Sequence, residues 1–232
     1  MLHALLCHDH ISIQCPDAPD ADSIACAFAL RAFFLQAGKG VTCFYAGEKS
    51  VERPNLVEML NQASFPLEHR PGLQDCPGAL LMLNCQPGAE NVTPARCDHV
   101  AVLSCHPPLA PLPEASDVRP HLSSCATLVW LRLKEAGYRL AVDAATLLLY
   151  ALDVASNGFT EIRFPLDLDM RDELLLMLED NLRGYAKLKR SNLSLRDLAL
   201  SAQALHTVDY HPQGRFVLLN VLPCDPSVPG FL

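Results

Sequence analysis

The fold is decided by the stretch Cys15-Pro16-Asp17-Ala18-Pro19-Asp20-Ala21-Asp22-Ser23-Ile24-Ala25-Cys26-Ala27, in which two carboxylates stand two positions apart. An apolar strand precedes it at Ile11 to Cys15, and a helix is predicted to follow from about Ser23 to Ala37. Asp20 and Asp22 therefore occupy the turn at the carboxyl end of a strand, where α/β sheets bind their ligands. Acids so placed can hold metals. The alternative is that Asp22 only caps the helix and complements its dipole.

Two further apolar strands end in polar residues. The first ends at Asn84 and Cys85, and the second, beginning at His99, leads into Ser104, Cys105 and His106. Alternation of strands with helices favours a mostly parallel sheet covered on both faces. The sequence thus predicts an α/β fold with a mostly parallel sheet flanked by helices.

The remaining elements divide the chain into two parts. Residues 1–190 are predicted to form the α/β domain, and residues 191–232 are predicted to form a helical linker and a terminal strand. Further strands are predicted at Val41 to Ala46, Asp117 to His121 and Arg215 to Leu222. Helices are predicted at Pro54 to Gln62, Ala126 to Ala136, Val142 to Val154, Met170 to Leu182, Arg183 to Arg190 and Leu195 to Thr207.

The order of these segments resembles the DHH phosphoesterases, the family of RecJ-type exonucleases, oligoribonucleases and manganese pyrophosphatases. The first motif of that family is roughly H-x-x-P-D-x-D-A-x-x-S, and Pro19, Asp20 and Asp22 match it. The histidine of the motif falls on Pro16, and its alanine and serine fall on Ser23 and Cys26.

The later motifs of the family are also altered. The metal-bridging aspartate falls on Asn84, and only the final histidine of Asp-His-His remains, as His106 after Ser104 and Cys105. The last metal-binding aspartate falls on Ala155, or on Ser156 after a slip of one residue, and Asp153 lies on the opposite helix face. The resemblance implies catalytic residues Asp20, Asp22 and His106, and metal ligands Asp20, Asp22, Asn84 and Cys105. It also implies that residues 191–232 are the start of a truncated substrate-binding domain.

These losses lead to two functional hypotheses. The first is an exopolyphosphatase-related, DHH phosphoesterase-like domain with a degenerate active site, catalytically impaired, that acts as a binding or interaction module. The alternative is a metal-dependent phosphoesterase, a hydrolase that acts on a short oligonucleotide or another small phosphorylated substrate. No tightly bound cofactor is expected, although the remaining ligands would hold manganese or magnesium weakly.

Ten cysteines are many for a chain of 232 residues. Cys15, Cys85 and Cys105 each close a predicted strand, and Cys26 lies one helical turn into the following helix. Thiolates at these positions would favour a softer ion such as zinc over manganese. The alternative is that these cysteines are small buried apolar side chains.

Charge and hydropathy narrow the class of partner. A formal net charge of −8 lacks the basic field that grips long nucleic acid. A local patch at Lys187, Lys189 and Arg190 is compatible with nucleotide binding, or is an ordinary solvated helix face. No signal peptide or membrane span is expected. The chain is predicted to be cytoplasmic, with a small phosphorylated ligand or a protein as partner, including a second copy in a homodimer.

Overall fold

Within the part of the chain that the structure describes, six parallel strands form a central sheet and four short strands lie outside it. The computed structural model describes residues 1–72, 74–190, 195–211 and 216–219. In chain order the strands are β1 (His10–Gln14), β2 (Gly40–Tyr45), β3 (Leu67–His69), β4 (Gln74–Asp75), β5 (Ala79–Leu83), β6 (Ala95–Arg96), β7 (His99–Ser104), β8 (Asp117–Val118), β9 (Val208–His211) and β10 (Phe216–Leu219). The sheet order is β3-β2-β1-β5-β7-β8, which confirms the α/β fold with a parallel sheet.

The helices are α1 (Leu2–Leu5), α2 (Ala21–Gln36), α3 (Pro54–Gln62), α4 (Cys125–Glu135), α5 (Val142–Ala155), α6 (Pro165–Met177), α7 (Leu182–Arg190) and α8 (Leu195–His206). Helix α2 is buried on most of its surface because small residues such as Ala25, Cys26 and Ala29 allow α5 and α4 to pack closely against it. The main apolar core lies between these helices and β1, β5 and β7, with Ile13, Leu81 and Leu103 fully buried.

The other face of the sheet is covered by connecting segments and the small β4–β6 ladder. Phe44, Leu80, Met82 and Val102 are buried on that face, since alternate residues of a strand point to opposite sides. The side chains that pack against them include Ala89, Val92 and Leu112, which come from the connections around β6 and before β8. The long connections between neighbouring parallel strands are therefore used as a cover.

Several element boundaries differ from the sequence-based prediction. Helix α6 begins at Pro165 and ends at Met177, whereas the predicted range was Met170 to Leu182. Pro165 occupies the first turn, where its fixed φ angle suits a helix start and its missing N–H is not needed. Leu182 instead belongs to α7. Strand β8 is limited to two residues, and the short strands β3, β4, β6 and β9 were not predicted.

The carboxyl-terminal part contains α8 and an antiparallel pair of strands, β9 with β10. The predicted terminal strand is confirmed at Phe216–Leu219, while Arg215 and residues 220–222 lie outside the described residues. Among the helices that the structure describes, none is long and apolar enough to cross a membrane.

Candidate functional site

The carboxyl ends of β1, β5 and β7 lie side by side because these three strands are neighbours in a parallel sheet. This edge carries the turn from Cys15 to Asp22, the pair Asn84 and Cys85, and the segment from Ser104 to His106. The thiol of Cys105 lies 3.5 Å from Oδ1 of Asn84, so the ends of β5 and β7 are in direct contact. Most of the predicted site residues are thus placed along one edge.

Asp20 is the residue that caps α2, and the expectation that Asp22 caps this helix is wrong. Oδ1 of Asp20 accepts a hydrogen bond from the backbone N–H of Ser23 at 2.8 Å. The hydroxyl of Ser23 in turn accepts from the backbone N–H of Asp20 at 3.0 Å, which completes a capping box. Because the helix begins at Ala21 rather than near Ser23, the cap moves back to Asp20.

Asp22 caps a different helix, α4, which begins about a hundred residues later in the chain. Its carboxylate accepts hydrogen bonds from the Ser124 hydroxyl (2.7 Å), the Cys125 N–H (2.7 Å) and the Ala126 N–H (2.8 Å). These groups are buried, and the Ser124 hydroxyl and the Cys125 N–H depend on this carboxylate, while the Ala126 N–H also donates to the Ser124 oxygen at 3.1 Å. The packing of α2 against α4 therefore depends on Asp22.

Burial also changes the pKa of Asp22. Desolvation and the negative charge of Asp20 raise the pKa of Asp22 from 3.8 to about 6, against the lowering effect of the three hydrogen bonds. A helix N-terminus that supplies N–H groups favours the ionised form. The carboxylate is therefore ionised at neutral pH with its charge shared among these donors.

Asn84 has a left-handed backbone, with φ at +55°. Asparagine tolerates this conformation better than most residues. Its backbone N–H donates to the carbonyl of Leu103 at 2.8 Å, which continues the pairing of β5 with β7 beyond the strand. The side chain is buried, with its amide oxygen facing the Cys105 thiol.

Cys105 and His106 have different environments. Burial raises the pKa of the Cys105 thiol, and the charges of Asp22 and Asp20 raise it further. His106 is exposed, and its backbone N–H donates to the hydroxyl of Ser104 at 3.0 Å. The thiol is thus protonated at neutral pH, and the imidazole of His106 faces solvent.

The residues predicted at the position of the last metal-binding aspartate provide no free carboxylate to this edge. Ala155 is exposed, while Ser156 is buried and its hydroxyl donates to the carbonyl of Leu152 at 2.5 Å. Asp153 is also buried, but its carboxylate pairs with the Lys189 ammonium at 3.0 Å. This ion pair fastens α7 to α5, and Lys187 pairs with Glu58, so two of the three predicted patch residues bind carboxylates of the same chain.

Asp17 holds the turn after β1 in place, a role that the sequence did not predict. Its carboxylate accepts from the N–H (2.9 Å) and the hydroxyl (2.8 Å) of Thr93, which ties the turn after β1 to the connection after β5. The only sequence signal was a third aspartate in the Pro-Asp-rich turn. Nothing local in the sequence points to Thr93 as its partner.

Comparison with known proteins supports the resemblance through the fold. No family model and no curated protein matches the chain. Among solved structures, an exopolyphosphatase-related protein from Bacteroides fragilis aligns with a TM-score of 0.64 and 15% identity over 90% of this chain. A protein from Methanococcus jannaschii assigned as a family II inorganic pyrophosphatase aligns with a TM-score of 0.57 and 18% identity over 78% of it. Both are DHH-family proteins.

The chain shares the fold of these two proteins. It spans 64% and 61% of the lengths of their structures. At this level of identity the likeness is one of fold.

The residues of this edge do not fit a pair of manganese ions. Two such ions need several ionised ligands, whereas Asp22 already accepts from the Ser124 hydroxyl and from the Cys125 and Ala126 N–H groups, and Asn84 offers a neutral amide. Within the described part of the chain, no group of three or more His, Cys, Asp and Glu side chains is arranged to hold a metal ion.

Three cysteines near this edge, Cys15, Cys26 and Cys85, are buried. Burial raises the pKa of Cys85 to about 12 and holds the pKa values of Cys15 and Cys26 well above their usual range. They pack among apolar side chains, which is the setting expected of cysteines that act as small buried apolar residues.

Proposed function

We propose that this phosphoesterase-type domain is catalytically impaired and acts as a binding or interaction module. The observation that carries the proposal is the engagement of Asp22 by Ser124, Cys125 and Ala126. A carboxylate with three short hydrogen bonds from buried donors stabilises the junction of α2 and α4. To act as a strong metal ligand it would have to give up part of this network.

Two residues of the same edge, which stand at metal-ligand positions of the family, also support the proposal. Asn84 lacks the charge that a bridging ligand brings to two cations, and Cys105 carries a protonated thiol. Bound divalent metals in phosphoesterases supply an activated water and a clamp on the phosphoryl oxygens. With one exposed carboxylate, Asp20, and one exposed imidazole, His106, the edge retains groups for recognising a ligand rather than a set for two-metal hydrolysis.

The ligand class follows from the same groups. A small phosphorylated molecule or a protein surface fits an edge with few charges, and the net charge of −8 opposes binding of long nucleic acid. A single weakly bound manganese or magnesium ion at Asp20 would convert the domain into the alternative, a phosphoesterase on a small substrate. The two functions therefore differ in whether the protein hydrolyses a phosphate ester and whether that activity depends on Asp20.

The test is hydrolysis of inorganic pyrophosphate and of bis(p-nitrophenyl) phosphate with added manganese. The proposal predicts no rate above the protein-free control for the wild-type chain. A manganese-dependent rate that disappears in Asp20→Asn would overturn the proposal and establish the enzyme.

A partially restored site provides the positive control. The variant Asn84→Asp with Cys105→His replaces two groups that already touch, and Asp tolerates a left-handed backbone as Asn does. We expect it to bind manganese more tightly than the wild type, as measured by isothermal titration calorimetry. An unchanged affinity in a folded variant would mean that these two positions are not the ligand positions.

A further inference from the structure

Two cysteines stand at the end of the small β4–β6 ladder. In this parallel pair Gln74 is aligned with Ala95 and Asp75 with Arg96. The backbone N–H of Cys76 then donates to the carbonyl of Arg96 at 3.0 Å, so the pairing continues past the strands. Cys76 and Cys97 are the next aligned pair.

Both side chains lie on the same side of this ladder. Cys76 and Cys97 pack against one apolar cluster, which contains Leu80, Met82 and Val102. The thiol of Cys97 donates to the carbonyl of Gly78 at 3.4 Å, two residues beyond Cys76. Neighbouring strands lie about 4.8 Å apart, within the Cα separation of about 4.4–6.8 Å that a disulfide spans.

Accessibility and position together distinguish this pair from the other described cysteines, since Cys105 is also half-buried but lies at the opposite end of β7. Cys76 and Cys97 are half-buried, so a small oxidant reaches them from solvent. Cys26 and Cys125 are also neighbours, but both are buried in the core. Cys7 is exposed but stands on the amino-terminal segment, where its thiol donates to the carbonyl of Ala4.

We propose that Cys76 and Cys97 form a reversible disulfide that fastens the segment before β5 to the segment before β7. The proposal is independent of the proposed function, because the two residues lie at the amino ends of these strands, away from Asn84 and Cys105. It adds a redox modification site to the fold. The oxidant is a low-molecular-weight disulfide such as oxidised glutathione.

The exchange proceeds in two balanced steps. The Cys97 thiolate attacks one sulfur of oxidised glutathione, which forms a mixed disulfide and releases one glutathione thiolate. The Cys76 thiolate then attacks the Cys97 sulfur, which forms the protein disulfide and releases the second glutathione thiolate. Two protein thiols are oxidised, one glutathione disulfide is reduced, and the two protons pass to the released thiolates. Burial raises the pKa of Cys76 and so lowers its thiolate fraction, which is why the first attack on glutathione is assigned to Cys97.

The disulfide would raise the melting temperature. It closes a loop of about 20 residues in the unfolded chain, and a cross-link of that size raises the melting temperature of a domain this large by about 5–10 °C. A partly exposed bond remains open to attack by thiols, so dithiothreitol should reverse the shift.

The experiment equilibrates the full chain in glutathione redox buffers, traps free thiols with N-ethylmaleimide, and maps disulfides by mass spectrometry of unreduced peptides. We expect a peptide cross-linked through Cys76 and Cys97, with the melting temperature raised until dithiothreitol is added. Cys97→Ala and Cys76→Ala should each abolish the shift. Cys7→Ala, the matched control, should leave it intact.

Two results would overturn the proposal. One is glutathione attached to Cys76 and Cys97 separately, without a bond between them, at every ratio of oxidised to reduced glutathione. The other is a cross-link that joins either residue to Cys7 or to a buried cysteine. If either alanine variant fails to fold, the peptide map of the wild-type protein alone decides between these outcomes.

Discussion

Replacement of Asp22 by alanine should destabilise the protein strongly, because it removes the acceptor at the start of α4. The Ser124 hydroxyl and the Cys125 N–H would lose a buried partner, while the Ala126 N–H would keep its 3.1 Å bond to the Ser124 oxygen. A buried donor left without a partner costs about 1–3 kcal/mol, and bonds to a charged acceptor stand at the upper end. Two such donors give a loss of about 3–5 kcal/mol in the free energy of unfolding.

The chain carries its own probe for this measurement. Its single tryptophan, Trp130, lies on α4 and is almost fully buried, so its fluorescence reports whether α4 is docked. Urea unfolding followed by this signal, in buffer with a metal chelator, gives the free energy of unfolding. The chelator ensures that a lost metal is not mistaken for a lost cap.

Asp20→Ala is the matched control, since it removes the neighbouring carboxylate from an exposed helix cap. Loss of a cap costs about 1 kcal/mol, so this variant should lie well above Asp22→Ala in stability. If Asp22→Ala unfolds within about 0.5 kcal/mol of the wild type, the reasoning is refuted, because surface substitutions change stability by no more than that. A loss equal to that of the control would also contradict it.

Three further predictions concern charged side chains of this domain. Because the pKa of Asp22 is raised to about 6 in the fold, its contribution to stability is complete below pH 4 and is lost as the pH rises through 6. Wild type should therefore lose about 2 kcal/mol relative to Asp22→Asn between pH 4 and pH 7 in urea titrations, and parallel curves would contradict this. Lys189→Met should lower the melting temperature more than Lys187→Met, since Asp153 is buried and Glu58 is more exposed, and equal shifts would count against a role of burial. Asp20→Asn should keep the melting temperature of the wild type with or without manganese, since asparagine also caps helices, and a manganese-dependent rise that this variant loses would indicate a bound metal.

The sheet was predictable from the sequence, but the contacts of the site were not. Strand β5 is apolar throughout, β7 is apolar from Val100 to Leu103, and β1 places Ile11 and Ile13 on its core face. A parallel sheet brings the carboxyl ends of these strands together. The partners of Asp22 lie more than a hundred residues away, and no local pattern indicates which helix start a carboxylate will serve. The two-residue strands carry too few residues for any periodicity, which is why β4 and β6 were missed.

The metal content of the purified protein tests the central claim most directly. The full chain would be expressed with added manganese, dialysed, and analysed for manganese per chain by inductively coupled plasma mass spectrometry. The account predicts no stoichiometric manganese, because Asp22 is engaged by the start of α4 and Asn84 supplies no charge. Two tightly bound manganese ions per chain would contradict it.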